Sequence, residues 1–225
     1  MTLEVCCGNL DSVKAAVEGG APRVELCSRL DLDGLTPLWM ELREARELFP
    51  ALRIHVLIRP REGDFCYSPR EVDRMGADIE TALALGADGV VLGALDEKGD
   101  VDVAVMQELL AAARPWAPAL TFHRAFDVCR RPFDALETIE GLGFHRILTS
   151  GQAPSAQEGT DMLRELQERA NLIILPGGGI NASNARRILE LSGCTELHAS
   201  ASTLLPDGRK VTDAKKVADI LAATE

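Results

Sequence analysis

The run Ala119-Leu120-Thr121-Phe122-His123-Arg124-Ala125-Phe126-Asp127 passes from apolar, β-prone residues straight into an imidazole, a guanidinium and a carboxylate. A buried strand of this composition delivers three ionisable groups to one end of a sheet. Alternation puts Thr121 and His123 on one face, Phe122 and Arg124 on the other. His123 is the leading candidate for proton transfer, because an imidazole exchanges protons near neutral pH.

Other segments end in the same way. Val24-Glu25-Leu26-Cys27-Ser28, Val56-Leu57-Ile58-Arg59-Pro60-Arg61 and Ile147-Leu148-Thr149-Ser150-Gly151 all run from aliphatic into polar residues, Gly or Cys. If these ends meet in one pocket, Arg59 can position a substrate or stabilise developing negative charge, and Glu25 or Asp64 can share proton transfer with His123. Arg59 and Asp64 belong to a polar loop, 58–68, long enough to fold over a pocket mouth as a lid. Leu175-Pro176-Gly177-Gly178-Gly179-Ile180-Asn181 precedes a helix expected from Asn181 or Ser183. There Gly177, Gly178 and Gly179 can turn backbone N–H groups toward an anion, with Ser200 nearby.

Thiols supply a different chemistry. In Leu3-Glu4-Val5-Cys6-Cys7 alternation pairs Glu4 with Cys6 and Val5 with Cys7, and in the next strand Glu25 with Cys27. With neighbouring strands roughly 4.8 Å apart, Cys6 and Cys27 come within reach of one small ion. All six cysteines are expected to be reduced thiols, since there is no Cys-x-x-Cys and no export signal at the N-terminus.

Positioning these groups requires a repeated strand and helix. Aliphatic strands beginning near Leu3, Arg23, Ile54, Gly89, Ala119, Arg146, Leu172 and Glu196 alternate with amphipathic helices. The fourth reads as extending from Gly89 to Leu95. Eight units in 225 residues leave roughly 28 residues each, close to the minimum for a strand and its returning helix. The expected fold is an α/β (β/α)8 TIM barrel spanning 1–225 as a single domain. Gly20, Gly86 and Gly143 mark helix ends, and Thr36-Pro37 and Ser68-Pro69 mark helix starts, the latter with Glu71 completing a capping box.

With 46% hydrophobic and 26% charged residues and a net charge of −11, the chain has the composition of a soluble globular domain. Its 24 basic residues form no stripe, which argues against nucleic acid. No apolar run is long enough for a membrane span, and a cytoplasmic location is expected. None of the five lysines falls at a predicted strand end, which disfavours a Schiff-base aldolase. The absence of a His-x-His pair lowers the odds of a zinc hydrolase.

Seven segments in the same order and spacing resemble the CutC family over nearly the whole chain. They are Glu4-Val5-Cys6, Arg23 to Ser28, Gly34-Leu35-Thr36-Pro37, Ile58 to Phe65, Thr121 to Asp127, Leu148-Thr149-Ser150-Gly151 and Pro176 to Ile180. The resemblance implies a cytoplasmic TIM-barrel homo-oligomer, a dimer or higher, linked to copper tolerance. It also implies Cu(I) held by Cys6 and Cys27, since soft thiolates suit that ion. The segment from Thr203 to Asp213 is shorter than the family's usual polar insertion.

Two functions compete. Copper homeostasis through Cu(I) on Cys6 and Cys27 explains the inward thiols but not Arg59, His123, Asp127 or the Gly triplet. A metal-free acid/base enzyme, an isomerase or lyase acting on a small anionic or phosphorylated substrate, accounts for more of the pocket. A third possibility is a barrel that has lost catalysis and acts through oligomer surfaces.

Overall fold

Short Val-, Ile- and Leu-rich runs, each followed by a turn and an amphipathic helix, bury one face inside a ring and the other beneath the helices. The computed structural model describes residues 1–205 and 210–225. Eight strands, β1 (Thr2–Cys7), β2 (Arg23–Leu26), β3 (Arg53–Leu57), β4 (Gly89–Leu92), β5 (Ala119–Phe122), β6 (Arg146–Thr149), β7 (Ile173–Pro176) and β8 (Glu196–Ala199), form one parallel sheet. Its order is β7-β6-β5-β4-β3-β2-β1-β8, and a parallel bridge between Gly177 and His198 brings the two ends together. The helices α1 (Leu10–Glu18), α2 (Trp39–Leu48), α3 (Pro69–Ala84), α4 (Val103–Ala113), α5 (Pro132–Gly141), α6 (Thr160–Arg169) and α7 (Ala185–Ser192) follow the first seven strands. A hairpin of β9 (Ser202–Leu204) and β10 (Lys210–Thr212) separates β8 from α8 (Ala214–Ala223). The segment Thr203 to Asp213, expected to be shorter than the family's, includes parts of both strands, and its residues 206–209 fall outside the described residues.

All eight strands begin within one residue of their expected positions, and the register sorts their faces. Val5, Cys7, Val24, Leu26, Ile54, Val56 and Val90 join the large apolar layer under the helices. Glu4, Cys6, Arg23, Glu25, His55 and His198 occupy the other face, with Glu4 opposite Arg23 and His198, and Cys6 and His55 opposite Glu25. Gly20, Gly86 and Gly143 do follow helices, at φ 88°, 92° and 87°, where a Cβ would be strained. Glu71 accepts from the Ser68 N–H at 2.7 Å, completing the predicted capping box.

Four local expectations change. β4 stops at Leu92, and Gly93 just beyond it leaves room for the imidazole of His123, since a Cβ there would sit 2.8 Å from His123 Nδ1. Thr36 does not cap α2; its Oγ1 accepts from the Arg59 N–H at 3.0 Å and its own N–H donates to the Arg59 carbonyl. After Phe122 the chain tightens into a 3-10 turn, Arg124–Val128, so alternation ends and Arg124 swings to the mouth. Finally, α7 starts at Ala185, since Asn181 Oδ1 ties back the Ser183 N–H at 2.9 Å in a non-helical turn.

The β6 loop depends on close backbone approach. A methyl group on Gly159 would collide with the Ser150 carbonyl and stand 3.1 Å from Gly151 Cα. Gly159→Ala is expected to lower stability by about 1–3 kcal/mol, read as a fall in the urea midpoint at unchanged slope.

Candidate functional site

Alternation along β1, β2, β3, β6 and β8 fills the lower lumen with charge rather than hydrocarbon. Arg23, 1% exposed, donates through Nε to Glu4 at 2.6 Å and through Nη2 to Glu196 at 2.5 Å. Arg146 Nε donates to the same Glu196 carboxylate at 3.0 Å. Glu4 lies 3.1 Å from His55 Nδ1 and 2.9 Å from His198 Nδ1. Burial alone would raise the Glu4 pKa, but the hydrogen bond with His198, the close approach of His55 and the Arg23 charge outweigh it and hold the carboxylate well below its usual range. Burial likewise lowers His198, yet Glu25, whose Oε2 is 3.7 Å from His198 Nε2, together with Cys6 and Glu4, carries it well above the ordinary imidazole value.

Above this ionic floor lie the thiols. Cys6 Sγ and Cys27 Sγ are 3.6 Å apart, and one atom each from Cys6, Cys27 and Glu25 lie within 4.8 Å of one another. Cys27 packs with Leu57 and Val91, and with partly buried Cys6 and Leu30. The hydrogen bond to Cys27, then burial, keeps Cys6 well above the ordinary thiol pKa. At Cys27 the bond to Cys6 pulls downward, but burial and Glu25 win and the pKa is raised. Burial also raises the Glu25 carboxyl, against the pull of His198. Cys6 pairs with Glu25, two positions before Cys27, so the two Cys Cα atoms are about 8 Å apart, beyond the usual reach of a disulfide. All six cysteines are free thiols. The donor set fits a soft cation better than a cystine.

The mouth opens above the thiols as a cavity of about 510 Å³. Cys6, Glu25, Arg59, His123, Gly178, Gly179 and Ser200 line it, together with Arg124 and Asp127. His123 is 4% exposed; burial, then the Arg59 charge, pushes its pKa down to about 3. It is therefore neutral at physiological pH, and this environment does not suit the expected proton exchange near neutrality. Arg59 uses Nη1 on the carbonyls of Leu32 and Gly34, both at 3.1 Å, and Nη2 on that of Gly63 at 3.0 Å, clamping two mouth loops together.

Asp64 and Gly177 lie elsewhere. Asp64, with its side chain 71% exposed, pairs with Arg61 at 2.8 Å on the outside of its loop and does not line the mouth. Gly177 sits at the closure of the ring, where a Cβ would press on Leu148 Cδ1 at 2.5 Å, and its N–H donates to Thr149 O. Asp127, by contrast, organises one wall. Its carboxylate accepts from Arg124 Nε at 2.7 Å, Thr149 Oγ1 at 2.5 Å and the Ser150 N–H at 3.0 Å.

Sequence reasoning passed over His198, reading β8 only for its hydroxyls. The signal was alternation: Glu196, His198 and Ser200 occupy every second position, as Arg23, Glu25 and Cys27 do along β2 and just past its end.

Fold and site together define a parallel (β/α)8 barrel with a ligand-sized mouth over a partly buried thiol pair. The chain belongs to the CutC family, whose sequence profile, described as CutC family, matches residues 1–203. A Bacteroides fragilis relative named family protein CutC is 50% identical over 207 residues, covering 91% of this chain and 82% of its own. The human relative, named copper homeostasis protein cutC homolog, is 46% identical over 210 residues, covering 92% of this chain and 76% of its own. The crystal structure of the putative copper homeostasis protein CutC from Streptococcus agalactiae superposes with a TM-score of 0.84 at 32% identity, over 89% of this chain and 98% of that one. Among the described residues no helix is long and apolar enough to cross a membrane.

Proposed function

We propose that this protein binds Cu(I) as cargo through Cys6 and Cys27 in copper homeostasis. The carrying observation is the 3.6 Å separation of two reduced, inward-facing thiols. Soft sulfur ligands favour Cu(I) over harder divalent ions, and the names of the human and Streptococcus relatives point the same way. Glu25 lies beside both thiols, where its carboxylate can receive a proton that binding displaces. The reading extends to a homo-oligomer and to a cytoplasmic location, the latter in keeping with six free cysteines. The test is a titration of the reduced protein with Cu(I) against a chelator of known affinity, with one tightly held ion per chain expected. Failure to compete with a weak chelator would end the proposal.

A second reading makes the mouth the site of a metal-free acid/base enzyme, an isomerase or lyase, for a small anionic or phosphorylated molecule. It is favoured by Arg124, whose Cζ would lie 3.8 Å from a methyl group on Gly178. Gly178, Gly179 and Ser200 then receive the anion, Arg59 holds the loops around it, Glu25 is the pocket group left to move a proton, and the neutral His123 can act on the ligand as a hydrogen-bond donor. Asp64 would serve only through Arg61 and the loop.

A further inference from the structure

Two buried donors on one wall of the mouth have nothing to donate to. His123 Nδ1 accepts from the Ala125 N–H at 3.2 Å, so the imidazole proton resides on Nε2, and Nε2 is buried without a partner. Arg59, 6% exposed, spends its Nη atoms on loop carbonyls, whereas its buried Nε also lacks a partner. Both side chains pack on Phe65, the imidazole centroid 4.9 Å from that ring and the guanidinium carbon 5.1 Å. Buried polar groups are nearly always satisfied, and leaving one unmade carries a desolvation penalty. Cu(I) on the thiols engages neither donor.

We propose that His123 and Arg59 form an oxygen-recognition subsite for a small monocarboxylate with a short apolar body. This rests on the small-anion reading and specifies its ligand. Both groups offer only N–H, so the ligand must accept. The wall supplies one positive charge, that of Arg59, because burial holds His123 neutral. Of the other charged groups lining the cavity, Arg124 is paired with Asp127 at 2.7 Å and His198 lies 3.7 Å from Glu25. Arg59 is thus the cation left to meet a ligand, and one negative charge suits it better than a phosphate dianion. Leu30, Leu57, Val128 and Leu148 line the remainder and suit a few methylene groups.

The test uses reduced, metal-free protein carrying 15N-histidine, observed by NMR with butyrate or inorganic phosphate added. His123 is expected to show the Nε2–H tautomer without titrating between roughly pH 5 and 9, and its Nε2–H resonance to move downfield saturably with butyrate. His123→Phe should weaken butyrate binding about tenfold or more. His123→Gln, which keeps a side-chain N–H, should recover part of it and so separate donor loss from misfolding. An Nδ1–H tautomer, no saturable butyrate shift, or equal butyrate affinity in His123→Phe would overturn the subsite. Phosphate binding that survives His123→Phe but is lost in Arg124→Ala would overturn it while sparing the small-anion reading. Binding of neither anion would end both.

Discussion

The Cys6→Ser, Cys27→Ser double variant is expected to lose its stoichiometric Cu(I), with affinity falling by more than roughly 100-fold. Even groups that only orient metal ligands are worth roughly 10–100-fold, and here both soft donors become hard hydroxyls. Each single variant should keep part of the affinity, since Glu25 lies within 4.8 Å of either sulfur. Wild-type affinity should rise with pH, because both thiols have raised pKa values and must shed their protons to bind. Each proton released to solvent, rather than kept by Glu25, adds up to about tenfold per pH unit. Competition titrations at several pH values check both points. A double variant that binds as tightly as wild type, or a flat pH profile, would move copper off this pair.

The largest effect on stability is expected at Glu4. In Glu4→Gln the guanidinium of Arg23 and the imidazole of His198 remain buried without the carboxylate that bridged them. Breaking a buried pair from one side costs about 3–5 kcal/mol, readable in urea unfolding at neutral pH. The effect has a pH signature. The Glu4 pKa is depressed in the fold, so its contribution is complete above the unfolded value of about 4.3 and fades as pH falls through the lower folded value. The His198 pKa is raised, so its contribution is complete below about pH 6.5 and fades as pH climbs through the higher folded value. Wild-type stability should therefore decline on both sides of a plateau, and Glu4→Gln should flatten both limbs. A destabilisation independent of pH would mean that Glu4 acts through packing alone.

The ring was readable because strands alternate with period two. Once Leu3 to Cys7 and Arg23 to Cys27 were recognised as strands, the inward placement of Glu4, Cys6, Glu25 and Cys27 followed from the pleat alone. The same logic failed where the pleat ended. Arg124 belongs to a 3-10 turn, and Thr36 is drawn from its helix to the end of β3. Electrostatic environment was the other blind spot. The His123 pKa is set by burial and by Arg59, a residue 64 positions earlier in the chain, and no local pattern reports it. His198 lay within reach of the alternation rule but acquires its meaning from Glu4 and Glu25, on strands encoded at the other end of the chain.

That long reach has a consequence for biosynthesis. His198 lies beneath a thiol pair completed by Cys27, about 170 residues earlier, so at 5–20 residues per second roughly 10–30 s separate their translation. During that interval the nascent chain has both sulfurs but neither the imidazolium beneath them nor the closed ring. A growing polypeptide would meet copper or an oxidant with bare thiols. The cell's handling of free copper at the ribosome, as much as the finished barrel, would then govern how much of this protein matures intact.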